Sequence, residues 1–306
     1  MAPQTTIQPL SRGRRRFYST ALITVFVIAV PLLFLYATGY RFEGLTNLVK
    51  TGGIYVGAER SGAEIFVNGE LVHETGTFRR AFFVQDLEPG IYTILVKKDG
   101  YHPWGKTLPV YAHIVTEAQA FNMPLEPLLS PIPQSMVNTS STSTRPVVNP
   151  LYTDIMTAFA TTTVMVALEE VVAADTTEEA TSTVAAVATT TKESQGMILR
   201  EHGDEIVAEW TRGTANIPFY FCVPERACGR EVTLNTRGEM PLYFDFFPGS
   251  TDLAIVSLSD GVYVTELDNR SGQNIQPLFE GAGADFRVVG GAVYVKLGRS
   301  LYEVAL

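Results

Sequence analysis

Apolar residues are arranged in two ways along this chain. Over residues 17–40 they are continuous: FYSTALITVFVIAVPLLFLYATGY carries no charged side chain between Arg16 and Arg41. As a helix this run would extend roughly 36 Å, enough to cross a hydrocarbon core roughly 30 Å thick with modest tilt. From Gly53 onward the apolar positions fall instead in short alternating runs between turn residues, the period of half-buried strands. GGIYVGA, AEIFV, ELVHE, RRAFFV and IYTILVKK are such runs, and two more occur around 106–111 and 114–121. Asn68-Gly69 predicts a tight hairpin that sends Ala63, Ile65 and Val67 to one face, and Glu64 and Phe66 to the other. Leu87-Glu88-Pro89-Gly90 reads as a type II turn, with Gly90 at positive φ. Asp99-Gly100 turns the chain again. Six or seven strands in about 70 residues have the spacing of a small β-sandwich.

Residues 53–125 also resemble the PEGA domain family. The shared pattern is the hairpin Gly62-Ala63-Glu64-Ile65-Phe66-Val67-Asn68-Gly69, then Leu87-Glu88-Pro89-Gly90-Ile91-Tyr92, then Gly100-Tyr101. Arg60-Ser61 stands where the family's name-giving tetrapeptide has Pro-Glu, so the turn before Gly62 departs from the pattern. The resemblance implies a small β-sandwich on a prokaryotic envelope protein, with no catalytic residue to carry over.

The alternation lapses over 126–195. A Pro-rich stretch, MPLEPLLSPIPQSM, leads into a Thr/Ala/Val-rich tract that is unable to supply a core, and a disordered linker is expected there. Within it, YTDIMTAFATTTVMVALEEVV is loosely periodic at Ile155, Phe159, Val166 and Leu168 and reads as a helix, too short and Thr-rich to span a membrane. Strands return over 196–306. LAIVSL and VYVTEL flank Ser259-Asp260-Gly261, and GGAVYVKLGRSLYEVAL repeats the two-strand pattern. These repeats resemble β-propeller blades. At roughly 40–45 residues per blade the segment holds two or three, fewer than the four or more of a closed propeller.

Charge gives the apolar run a direction. Residues 1–40 hold four Arg and no Asp or Glu, whereas the rest has 19 basic against 32 acidic side chains. Arg12, Arg14, Arg15 and Arg16 directly precede the run, so the positive-inside rule keeps residues 1–16 cytoplasmic and sends the chain from about 41 onward outside. The alternative, a cleaved signal peptide, has an apolar region of about 7–15 residues and a small-x-small site. Here the run is longer, and Leu35 occupies the upstream position of the candidate site ending at Ala37. Residues 17–40 are thus expected to be an uncleaved transmembrane helix, and 41–52 a juxtamembrane connector. An acidic ectodomain argues against nucleic acid as partner.

Cys222 and Cys228 are the only cysteines. Outside the membrane they form a candidate disulfide across CVPERAC; two cysteines with no nearby His make no four-ligand zinc site. His73, His102, His113 and His202 are scattered, and no HExxH, GxSxG or P-loop pattern occurs. Asp252, Asp260 and Asp268 occur singly at turns, where Asp bonds its own backbone. No catalytic, cofactor or metal residue is assigned. Tyr101, Trp104 and Tyr111 are the candidate contact aromatics, with core packing as the competing reading.

The expectation is a mainly β, single-pass membrane protein: an N-terminal helix, a PEGA-like sandwich, a linker and an antiparallel propeller-like domain. It would be non-enzymatic and present β modules for binding or scaffolding to an envelope protein or polysaccharide. The competing readings are an envelope enzyme acting on cell-wall polymer, and an accessory subunit of a transport or signalling complex. A clustered acid pair in a cleft would favour the enzyme.

Overall fold

The computed structural model describes residues 11–43, 47–137, 146–160, 191–214, 216–222 and 228–306. The architecture is mainly β, with one long N-terminal apolar helix. The chain divides into two compact units, one drawn from 1–56, 82–92 and 109–118, the other from 57–81, 93–108 and 119–306.

In the first unit the helix spans Arg12–Ala37 and runs on through Pro31. It begins earlier than the apolar run: Ser11 Oγ accepts from Arg14 N at 3.5 Å, so the four arginines lie on the helix and not in a preceding tail. None of its residues is buried against protein. Its last turn is clipped to the strands of the same unit. Arg41 donates from Nη1 to Tyr36 O at 2.7 Å, a cation on the carbonyl end of the helix dipole, and its guanidinium lies over the Tyr36 ring at 3.8 Å. Arg41 Nε also reaches Asp86 Oδ1 at 2.6 Å. His113 Nδ1 lies 2.6 Å from Thr38 O. The expected connector over 41–52 is a hairpin instead: Tyr40–Glu43 pairs antiparallel with Asn47–Lys50.

Seven strands occupy the region 52–120. Ala81–Leu87, Gly52–Ala58 and Val115–Ala120 form a three-stranded sheet in that order. Glu70–Glu74, Glu64–Val67, Gly90–Lys97 and Trp104–Val110 form a four-stranded one. The Asn68-Gly69 hairpin forms with both residues at positive φ, 50° and 84°, and Ala63, Ile65 and Val67 are buried. The turn at Pro89-Gly90 is not type II. Gly90 lacks the positive φ that type requires and begins a strand, while Asp86 takes the left-handed conformation, at φ 62°.

The rest of the second unit is a stack of three four-stranded antiparallel sheets. The first is Thr191–Ser194, Met197–His202, Glu205–Trp210 and Glu231–Thr233. The second is Tyr243–Phe246, Leu253–Leu258, Gly261–Glu266 and Ile275–Glu280. The third is Asp285–Val289, Ala292–Leu297 and Ser300–Ala305, completed by Leu128–Pro131 from far upstream. The opening strands of successive sheets touch one another, as the inner strands of propeller blades do. Leu253–Leu258 and Gly261–Glu266 are buried at every position, because the second sheet is covered on both faces. Phe244, Phe246, Ala254 and Val256 meet Met197, Leu199, Ile206 and Ala208 of the first sheet. On the other face Tyr243 packs edge-on against Phe286 of the third, ring centroids 5.1 Å apart.

Each end of the stack is finished differently. The outer face of the first sheet is charged: Arg200 pairs with Glu209 at 3.1 Å and with Glu231 at 2.9 Å. The outer face of the third sheet is covered by helical residues 150–160, whose Ile155 and Phe159 pack with Ile132, Tyr294 and Leu301. Stacked repeats need such ends to stay soluble. Within the linker expected over 126–195, two described parts are ordered elements: 128–131 is a sheet strand and 150–160 a covering helix. Residues 138–145 and 161–190 lie outside the described residues.

Candidate functional site

Trp104, Lys106, Leu108 and Val110 share the inward phase of one strand, and all four are buried. A lysine in that phase needs a counter-charge, and Glu266 supplies it. Lys106 Nζ lies 2.6 Å from Glu266 Oε1 and 2.6 Å from the Asp268 carbonyl, with Asp268 Oδ2 at 3.5 Å. The other Glu266 oxygen accepts from Trp104 Nε1 at 3.0 Å. Asn274 donates to Oε1 from its backbone N at 2.7 Å and from Nδ2 at 2.8 Å. Gln276 completes the junction, accepting from Met123 N at 2.8 Å and donating to Pro103 O and Phe121 O. Burial pushes the Glu266 carboxyl above the ordinary range, and Lys106 draws it partly back. This group clamps 103–106 and 121–123 to the second sheet of the stack.

Beside the clamp lies a cleft of about 460 Å³. Its floor comes from Met197 and Leu253 on facing sheets. Its walls are the turn at Ser194-Gln195, Trp210, Arg212 and Asn216, the run 218–220, the turn at Thr251-Asp252, and Glu59 with Gln119, Ala120 and Phe121. The Ser194–Met197 turn is a two-residue hairpin with Gln195 and Gly196 at positive φ, 50° and 89°. The aromatic wall is a single 3-10 turn, Phe219–Phe221. Tyr220 O–H donates to Thr251 O at 3.1 Å, and burial pushes its phenol up. The wall is closed off by Cys222, joined to Cys228 in a disulfide, and by Gly229 N donating to Phe221 O at 2.9 Å.

Two carboxyls face this space. Glu59 keeps solvent access as a residue, yet lost hydration around it, and then the charge of Asp252, raise its carboxyl above the ordinary range; Arg60 draws it partly back. Asp252 is half-buried and raised by burial, with the 2.6 Å bond from Ser250 Oγ opposing and Asp268 adding repulsion. Trp210 is 8% exposed, and its indole N–H has no partner among the described residues.

The contact aromatics do not form a surface. Trp104 is fully buried with its indole bonded to Glu266, and Tyr101 is half-buried beneath Lys98 and Arg60. Tyr111 belongs to the other unit. Asp252, Asp260 and Asp268 go to separate partners: Ser250, Arg237 and Arg270. Among the described residues no group of three His, Cys, Asp or Glu could hold a metal. Glu59, Lys106 and Glu266 were not singled out from sequence. Lys106 had a visible signal, a charge in phase with Trp104 and Leu108; Glu59 had none.

Residues 51–127 match the PEGA domain. No curated protein matches the chain.

Proposed function

We propose that this PEGA-containing chain is a non-enzymatic, single-pass membrane protein that presents its β modules on the extracytoplasmic side for binding or scaffolding. The supporting observation is the helix Arg12–Ala37. Its uncharged part from Phe17 on is long and apolar enough to span a bilayer and none of it is buried by protein, so lipid is the medium that suits it. The arginines strengthen the orientation. Cations near a helix N-terminus oppose the helix dipole, so four within its first five residues cost helix stability and make sense as cytoplasmic retention signals. The clip between Arg41, Tyr36 and Asp86 then ties the end of the helix directly to folded strands, which suits a rigid stalk. A protease added to spheroplasts should digest everything beyond about residue 41. A protected C-terminus would reverse the orientation, and a mature N-terminus near residue 38 would mean a cleaved signal.

One observation favours the enzyme reading: Glu59 and Asp252 line one cleft and both have raised proton affinity. A carboxyl with raised proton affinity is the kind of group that acid catalysis on a glycan uses. Hydrolysis of cell-wall polymer by the purified chain, lost in Glu59→Gln, would select that reading over binding alone.

A further inference from the structure

The cleft beside the clamp holds two carboxyls without a direct ion pair among the described residues, Glu59 and Asp252; Arg60 draws on the Glu59 carboxyl without forming one, and other cations nearby have partners of their own. Lys106 is held by Glu266, and Arg270 by Asp268 at 2.7 Å. Arg212 lines the cleft but packs on Gly196, and it is not among the charges that lower either carboxyl. A ligand ammonium would supply the missing countercharge. The remaining walls are not those of a purely cationic site. Gln195 and Asn216 offer both donors and acceptors, the Trp210 N–H lacks an acceptor, and half-buried Phe219 offers an aromatic surface. Arg270 stands 4.9 Å over the Phe219 ring, whose remaining exposed part borders the cleft. Hydroxyl-rich edges meet amides and an indole N–H; the C–H face of a pyranose meets an aromatic ring. A volume of about 460 Å³ takes one or two sugar rings.

We propose that this cleft binds an amino sugar, with its ammonium between Glu59 and Asp252 and its hydroxyls on the amides and the Trp210 indole. The proposal rests on the reading of the chain as a binding protein and names the ligand class of that function.

The test uses the full chain in detergent micelles and three probes in calorimetric titration: glucosamine, N-acetylglucosamine and cadaverine. Glucosamine should bind about tenfold more tightly than its neutral acetylated counterpart, the worth of one charge-assisted hydrogen bond. Glu59→Gln should remove that preference. Glu59 is solvent-accessible, so the fold should survive the change, and an unchanged melting temperature checks it. Asp252→Asn should act in the same direction, and Glu231→Gln, on the far face of the first sheet, should bind as the parent does. Equal affinity for the two sugars would overturn the proposal, as would glucosamine binding that survives both cleft variants, or no binding of glucosamine at all. Cadaverine binding as tightly as glucosamine would overturn the sugar assignment. All these failures leave the membrane orientation standing, because that is read by protease and not by sugar.

Discussion

Lys106 and Glu266 show how much one residue pair decides. Both side chains are nearly inaccessible, at 0% and 3% exposure, so each depends heavily on the other to be charged there. Lys106→Met would leave Glu266 ionised and buried with only Trp104 and Asn274 to bond. Breaking a buried pair from one side typically costs about 3–5 kcal/mol, and that loss is expected in chemical denaturation. Adding Glu266→Leu to Lys106→Met should recover a large part of it, because the orphaned charge is then gone. The pH dependence has a definite sign. A carboxyl raised in the folded state binds more protons there than in the unfolded chain, so its contribution to stability falls as pH rises through the folded pKa. The raised Glu266 therefore predicts a stability that declines on going from the ordinary Glu value of about 4.3 toward neutrality. Removing the carboxyl in the double variant should flatten that decline. A double variant as pH-sensitive as the parent would mean that Glu266 is not the titrating group.

At the scale of elements, the disulfide and the 3-10 turn act together. Cys222 comes directly after Phe219–Phe221, so the bridge to Cys228 restrains the segment that carries the aromatic wall of the cleft. The closed loop is short, and the chain-entropy estimate for it is about 2–3 kcal/mol. Replacing both cysteines with Ser should lower the melting temperature, and reductant should lower the parent's to match. If thiol reagents label both cysteines in the native, non-reduced chain, no bridge is present. The element-level reading of the sequence succeeded where local chemistry decides. Seven strands formed in the PEGA-like region, and the Asn68-Gly69 hairpin closed with Ala63, Ile65 and Val67 on its buried face, despite a register shift between Ile65 and Phe66, because period-2 alternation and a left-handed pair of turn residues act over a few residues. It failed at Pro89-Gly90, where the strand began at Gly90 and Asp86 took the left-handed conformation instead.

For the whole molecule, the notable choice is the source of the twelfth strand in the stack. Leu128–Pro131 is exposed at every position and has little apolar periodicity, yet it pairs residue for residue with 302–305 of Ser300–Ala305. Residues 150–160 likewise bury only Ile155 and Phe159, on a sheet formed more than a hundred positions later. Segment 128–160 should accordingly stay with 191–306 when the covalent link is cut. A site-specific protease sequence inserted between residues 160 and 191 would allow the cut. The cleaved chain should keep its size in native chromatography and split in two on a denaturing gel. Dissociation under native conditions would show that strand pairing and helix cover do not hold the stack together.

What the sequence determined by itself is whatever depends on near neighbours or on sheer apolar length. The long apolar helix, the alternating strands, the cysteine pair and the PEGA pattern are all of this kind, since lipid partition, pleat and turn chemistry need no distant partner. Tertiary structure decided which segments met. Only the packed chain put Lys106 on Glu266, Glu59 beside Asp252, and residues 128–131 at the edge of the last strand. Those contacts depend on closing loops of many residues. Burial repays that entropy only once the sheets are stacked, so composition along the chain carries little trace of it.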